Sequence, residues 1–254
     1  MPITKRLAHV AYDGSDYYGF SVSVGKKTIQ DTIESTLGNI FDDPKLPSHI
    51  DFTSRTDKGV HALDQVITFS APDYFEDNKL LLILNQRLPT DIRFQSLVSV
   101  PESFNLRDRV KSKVYRYIIS EDQKNPFVSR YCWVIPKKPD EKKLNQFLQL
   151  MAGEHDFSTF AKESYRYATT VCHIFRIECK STTSLSEIEI EIEGNRFLYN
   201  MVRRIIGFSV FLTLKQKSIP STFEDLIDGY KSQTNMRAPA CGLTLLKVFL
   251  ESGS

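Results

Sequence analysis

Glu187-Ile188-Glu189-Ile190-Glu191-Ile192-Glu193 is the most regular stretch of this sequence, because charged and apolar side chains alternate in it without interruption. Successive side chains of a strand point to opposite faces, so this period of two predicts a strand with one buried face and one acidic, hydrated face. Alternating strands are typical of antiparallel sheets, whereas strands of parallel sheets are apolar on both faces. The stretch therefore favours an α+β fold over a doubly wound parallel one.

The rest of the chain mixes strand and helix patterns in the same way. Further strands are predicted at residues 6–12, 65–69, 114–119 and 244–250. Helices are predicted from Thr28 as N-cap, over 80–88, from about 140 to 151, over 197–214, and after a capping box at residues 221–224. The patterns of the two halves are similar, and we expect a division into residues 1–104 and 105–254.

Composition narrows the class of protein. The chain has 254 residues, a net charge of +2, 41% hydrophobic residues and 25% charged residues, all ordinary for a globular protein. No run of 18 apolar residues occurs, so no membrane span is expected. The four scattered cysteines indicate reduced thiols and a cytoplasmic location, with nucleus and organelle left open. The sequence lacks nucleotide-binding glycine loops and metal-ligand spacings, so we expect no cofactor, no nucleotide and no metal.

Residues 54–62 form the most unusual polar string, with Arg55, Asp57, Lys58 and His61 around a glycine. Neighbouring cations would keep Asp57 ionised, which a carboxylate nucleophile requires. The alternative is a polar turn with an Arg–Asp ion pair, and composition alone favours that alternative.

A second feature is the cationic stretch 105–117, in which tyrosines are interleaved with five cations and one carboxylate. The cations are Arg107, Arg109, Lys111, Lys113 and Arg116. Such a patch suits phosphates and stacked bases, although lysines guarding a strand edge would look the same. Arg203 and Arg204 form a third feature, inside an apolar helix pattern. At least one of them is expected to face protein, where a buried guanidinium needs an acid or a phosphate as its partner. The alternative is that their side chains extend to the surface.

These features resemble the TruA family of tRNA pseudouridine synthases. The string Arg55-Thr56-Asp57-Lys58-Gly59-Val60-His61-Ala62 is similar to the family's signature. Five further regions are similar to family motifs in order and spacing, at residues 12–19, 85–92, 104–117, 153–160 and 197–207, and residues 238–243 precede the last strand as in the family. Four departures stand near these motifs. They are Phe20-Ser21 in place of Trp-Gln, Asn105 and Asn200 in place of His, and Asp108 in place of Phe.

The resemblance implies a fold and an activity. It implies two ferredoxin-like halves that form a continuous, mixed and mainly antiparallel sheet, with helices on one face and a central catalytic cleft. It also implies a homodimer that acts on tRNA and isomerises uridine to pseudouridine in the anticodon arm, at positions 38–40. The reaction needs neither redox chemistry nor hydrolysis, which agrees with the missing cofactor motifs.

The resemblance also assigns roles to single residues. Asp57 would be the nucleophile, Tyr115 would lie against the flipped uracil, and Arg203 would be the cation that keeps Asp57 charged. Arg55 would fill the gap left by the extruded base. The remaining RNA-binding residues would be Lys58, His61, Arg107, Lys111, Lys113 and Arg116, with His61 either structural or in contact with RNA.

Two other functions remain open from the sequence. One is an inactive or weakly active RNA-binding or tRNA-folding protein on the same scaffold, which the altered motif positions favour. The other is a hydrolase with an aspartate nucleophile, but no second carboxylate stands near Asp57 to act as the acid.

Overall fold

The computed structural model describes residues 2–43, 46, 48–182 and 187–251. Within these ranges, ten strands and five α-helices follow one another in mixed order. They are β1 (Ile3–Tyr12), α1 (Ile29–Phe41), β2 (Asp51–Phe52), β3 (His61–Pro72), α2 (Asp77–Arg87), β4 (Ile92–Val100), β5 (Val110–Ser120), β6 (Trp133–Val134), α3 (Glu141–Gln149), β7 (Gly153–Asp156), β8 (Val171–Ser181), β9 (Glu187–Gly194), α4 (Met201–Leu214), α5 (Phe223–Tyr230) and β10 (Leu243–Leu250).

The chain divides into two compact units. The first contains residues 1–111 and 245–254, and the second contains residues 112–244. The halves expected from the sequence, 1–104 and 105–254, place the chain's end in the second part instead. In the structure most of β10 belongs to the first unit, because β10 lies beside β3. The backbone N–H of Glu251 also donates to the carbonyl of Arg109 in that unit.

The first unit is an antiparallel sheet covered by helices. Strand β1 pairs with β3 on one side and with β4 on the other, so that Leu7 lies between Thr68 and Val98. Helix α1 begins after Thr28, whose side chain accepts a hydrogen bond from the N–H of Asp31. This capping satisfies one of the amides that a helix start leaves without a partner.

The second unit is built around the alternating strand quoted above. Strand β9 pairs antiparallel with β5 and with β8, and β7 pairs antiparallel with β8. Ile188, Ile190 and Ile192 are fully buried or nearly so, whereas Glu189 and Glu191 are partly exposed and Glu187 is buried. The strand, its buried apolar face and the α+β class are therefore confirmed, but the acidic face is hydrated only in part. Only the short strand β6 runs parallel to its partner, β5, among the pairings described here.

Two predicted helix starts are wrong. Asn200 has a φ of 64°, which a right-handed helix cannot accommodate, so α4 begins at Met201 and not at residue 197. Helix α5 is capped by Thr222, whose hydroxyl accepts from the N–H of Asp225, one residue later than the predicted box. Among the described residues, no helix is long and apolar enough to cross a membrane.

Helix α4 carries a glycine that its surroundings require. A Cβ at Gly207 would lie 2.7 Å from the nitrogen of Ala238 and 2.8 Å from the carbonyl oxygen of Met236. Both atoms are backbone, so the loop that crosses the helix would have to move.

We expect Gly207→Ala to lower the free energy of unfolding by about 1–3 kcal/mol, as overpacking does. Gly38→Ala is the matched control, since Gly38 lies inside α1 with nothing within 4 Å of an added Cβ. That change should raise stability by roughly 0.5–1 kcal/mol. Urea unfolding of the three proteins measures both effects, and equal effects of the two substitutions would contradict the close approach.

Candidate active site

Asp57 lies in the loop that joins β2 to β3 in the first unit. Its carbonyl accepts a hydrogen bond from the N–H of Val60 at 3.1 Å. Gly59 occupies the third position of this turn with a φ of 77°. A type II turn needs a positive φ at that position, and glycine provides it without strain. The Asp-Lys-Gly-Val sequence therefore forms a tight turn that starts at Asp57 itself.

A buried glutamine holds the segment that leads to Asp57. The Gln65 side chain donates to the carbonyl of Ser54 at 2.6 Å and accepts from the hydroxyl of Thr53 at 2.7 Å. Gln65 is fully buried, so these bonds are shielded from competition with water. The Tyr12 hydroxyl forms a further buried bond, 2.7 Å long, with the hydroxyl of Thr56.

Backbone packing against the turn at residues 13–20 fixes the position of the Asp57 loop. A Cβ at Gly14 would lie 2.0 Å from the carbonyl oxygen of Val60, and one at Gly19 would lie 2.9 Å from that of Thr56. The N–H of Phe20 donates to the carbonyl of Thr56 at 3.0 Å. Only residues without a Cβ allow this approach, so both glycines of the residue 13–20 turn position the Asp57 loop.

Side chains along the loop point alternately inward and outward. Ser54 and Thr56 are buried, Asp57 is half-buried, and Arg55 and Lys58 are exposed. The loop thus presents one partly shielded carboxylate between two exposed cations, of which Lys58 lies 4.9 Å from the centre of the Tyr18 ring.

Three departures from the family pattern have structural explanations. Phe20 is fully buried and its ring centre lies 4.6 Å from that of Phe52, so it serves the core beneath the loop. The Asn105 side chain bonds the Asp108 carboxylate at 2.6 Å and closes a local turn. Beside them Arg107 is exposed, and so is Lys111.

His61 is buried rather than presented to solvent. Its Nδ1 lies 3.2 Å from the backbone nitrogen of Gly14 and 3.1 Å from the Asp13 carboxylate. This geometry supports the structural role that the sequence left open beside RNA contact.

In the second unit, Tyr115 lies on β5 opposite Ile192. Its ring packs edge-to-face on Phe197, with 5.3 Å between the ring centres. Because side chains alternate along a strand, Lys113 and Tyr117 share the face of Tyr115. Arg116 lies on the opposite face, across from Glu191. The structure therefore groups Lys113 with Tyr115 and separates Arg116 from both.

Arg203 sits in the first turn of α4 and is almost fully buried. Its Nε donates to the carbonyl of Ala238 at 2.9 Å, and its own carbonyl accepts from the N–H of Ala238 at the same distance. The side-chain amide oxygen of Asn200 accepts from the Arg203 guanidinium at 3.4 Å and from that of Arg237 at 3.3 Å. A buried guanidinium held in this way has a fixed direction.

Sequence reasoning missed the supporting residues. Gln65 appeared there only as the first residue of a predicted strand, and a polar residue at the start of an apolar run was the single available signal. Within the described ranges, no group of three histidine, cysteine or carboxylate side chains is arranged to hold a metal ion.

Lys113 has an unusual proton affinity. Burial, and secondly the positive charge of Arg196, lower the pKa of Lys113 from 10.5 to about 8. Both influences disfavour the ammonium form, because it loses hydration and is repelled by a like charge.

This shift predicts a pH-dependent stability. Between pH 8 and 10.5 the unfolded chain binds more protons at Lys113 than the folded protein does, so the free energy of unfolding rises with pH. Below pH 8 both states carry the proton, and the penalty on folding is complete. Lys113→Met should therefore raise stability at pH 7. It should also remove the rise in the free energy of unfolding above pH 8, which is at most about 1.4 kcal/mol per pH unit. Urea unfolding from pH 7 to 10.5 measures this, and a difference between the proteins that is constant with pH would contradict it.

Comparisons with known proteins identify the family of the chain. A family model described as tRNA pseudouridine synthase matches residues 8–107 and 147–249. Asp57 and Arg203 fall inside the matched residues, whereas Tyr115 falls between them. Three relatives named tRNA pseudouridine synthase A are similar over nearly their whole lengths.

The relative from Phytoplasma mali (strain AT) is 34% identical over 94% of this chain and 96% of its own. The relative from Borreliella afzelii (strain PKo) is 36% identical over 97% and 99%. The relative from Aquifex aeolicus (strain VF5) is 35% identical over 96% and 98%. The resemblance read from the sequence is thus confirmed, and the chain belongs to the tRNA pseudouridine synthase family of isomerases.

Proposed function

We propose that this protein converts uridine to pseudouridine at positions 38–40 in the anticodon arm of tRNA, with Asp57 as the nucleophile. The observation that carries the proposal is the Asp57 loop. It holds a half-buried carboxylate between exposed Arg55 and Lys58, on a backbone fixed by Gln65, Tyr12 and two glycines. A rigidly held carboxylate can attack without first being ordered.

The chemistry requires no group beyond the side chains and the RNA. The carboxylate of Asp57 attacks uridine at the base or at the sugar carbon, and the bond between that carbon and N1 breaks. The sugar carbon then bonds to C5 of the base, the bond between uridine and Asp57 breaks and regenerates the carboxylate, C5 loses its hydrogen as a proton, and N1 gains one. Bonds and protons balance without an oxidant or a reductant. In this proposal Tyr115 lies against the flipped uracil and takes part in proton transfer, and Arg203 keeps Asp57 ionised.

The cations near these residues bind the RNA in this proposal. Arg55 fills the space that the extruded base leaves, and Lys58, Arg107, Lys111 and Lys113 contact phosphates. Arg116 belongs to this set only if RNA also reaches the other face of β5. We further propose a homodimer as the active form, and sedimentation equilibrium at micromolar concentration tests it.

The first test follows tritium released from C5 of uridine in labelled tRNA transcripts. Wild type should release tritium, and Asp57→Asn should lower the rate by at least about a thousandfold, because a neutral amide has no nucleophilic charge. Asp51→Asn is the matched control, since Asp51 is another half-buried carboxylate on the adjoining strand, and its rate should stay within about twofold.

Transcripts with cytidine at positions 38–40 decide the site of modification, because they should release no tritium. Unchanged release from these transcripts would overturn the anticodon-arm assignment. Tight tRNA binding by wild type without any release would point to the RNA-binding function instead.

A second test addresses the loop's position. Gly19→Ala and Gly25→Ala both place a side chain at a positive φ, 99° and 69°, so both carry backbone strain. Only the Cβ at Gly19 meets the loop, near the backbone of Thr56 and Asp57. We expect Gly19→Ala to lower kcat by about a hundredfold, because small misplacements of a reacting group are costly, whereas Gly25→Ala should retain it. Equal kcat values in the two folded variants would contradict the positioning role.

A further inference from the structure

Six residues of the second unit form a surface in which every exposed ring has a cation beside it. We call it the aromatic–cationic platform, and it consists of Lys162, Tyr165, Arg166, Tyr167, Arg196 and Tyr199. Lys162 lies 5.2 Å from the centre of the Tyr199 ring, Arg166 lies 5.9 Å from that of Tyr165, and Arg196 lies 5.8 Å from that of Tyr167.

Hydrogen bonds tie the two chain segments of the platform together. The N–H of Lys162 donates to the carbonyl of Tyr199, and the N–H of Tyr199 donates to the hydroxyl of Tyr167, both at 2.9 Å. Directly after the bonded residues, Glu163 and Asn200 turn the chain with φ values of 57° and 64°. The rings are therefore presented by an ordered backbone.

The rings are exposed although they are large. Tyr165 is 80% exposed and Tyr199 is 40% exposed. Among the three cations of the platform, Arg166 pairs with Glu163 at 2.9 Å and Lys162 lies 3.9 Å from the same carboxylate, so one negative charge is shared by two cations. Exposed aromatic faces with surplus positive charge suit a ligand that is flat, apolar on its faces and negatively charged along its backbone.

The platform is continuous with proposed active-site residues of the same unit. Phe197 packs on Tyr115, and it lies between Arg196 and Tyr199 in the chain. Arg196 is also close enough to Lys113 to lower its pKa. A strand of RNA that reaches Tyr115 can thus extend over the neighbouring rings.

We propose that the platform binds unpaired nucleotides of the tRNA beside the target uridine. Bases stack on Tyr165 and Tyr199, and Lys162, Arg166 and Arg196 contact the adjoining phosphates. This inference rests on tRNA being the substrate of the proposed function, and it adds a binding surface to the residues assigned there.

The test measures the Kd of a fluorescent tRNA transcript in the Asp57→Asn background, where no turnover occurs during the titration. Adding Tyr165→Ala should raise Kd about tenfold, because a stacked base is lost. Tyr165→Phe should bind like the parent, since it keeps the ring face. Phe127→Ala is the matched control. Phe127 is an 82% exposed ring of the same unit outside the platform, and its removal should leave Kd within about twofold.

The same Kd measurement on a fully paired RNA duplex is the second part of the test, because a duplex offers no unpaired base. Tyr165→Ala should not alter its Kd. An unchanged Kd for tRNA, or an equal loss for tRNA and duplex, would overturn the proposal. Loss of a dimer in sedimentation by Tyr165→Ala would also overturn it, by assigning the surface to contact between copies. Tritium release by Asp57→Asn would refute the proposed function alone, since these binding measurements do not depend on the nucleophile.

Discussion

The close approach of two backbone segments in the first unit is the constraint on which the Asp57 loop depends. The turn at residues 13–20 lies against residues 56–60, and only glycine at positions 14 and 19 leaves room for it. Buried hydrogen bonds from Tyr12 and Gln65 complete the arrangement. A buried polar group is costly unless it is paired, so each of these hydrogen bonds favours this conformation of the loop over others. The Asp57 carboxylate is therefore positioned by the side chains and glycines that surround its loop.

The alternation of side chains along β5 places the residues of the cationic stretch on two faces of the sheet. Lys113 and Tyr115 point to one face, whereas Ser112 and Arg116 point to the other, where the glutamates of β9 line up. On that acidic face Ser112 donates to Glu193 at 2.7 Å, and Arg176 and Lys180 of β8 pair with Glu191 and Glu189. Charges on that face are largely balanced within the sheet, whereas Tyr115 and Tyr117 share the buried face of the β9 isoleucines.

The start of α4 links the remaining parts of the second unit. Gly207 lets residues 236–238 cross the helix closely, and the same loop accepts the hydrogen bond of Arg203. The residues just before the helix contact Tyr115 on one side and Lys162 on the other. A change in this short segment would therefore alter the surroundings of Tyr115 and the platform together.

The sequence by itself determined the α+β class, most of the longer elements and the family, because alternation and motif order are local properties of the chain. It also singled out Asp57, since an acid among cations is visible without a fold. Strands β4 and β8 were not predicted from the sequence. Their apolar and polar residues alternate irregularly, because the register shifts at bulges in their pairings. Only the tertiary structure decided that Gln65 and His61 serve the loop, that Arg116 faces away from Tyr115, and that Tyr199 joins the platform. These outcomes depend on strand register and on contacts between residues far apart in sequence, which no local pattern encodes.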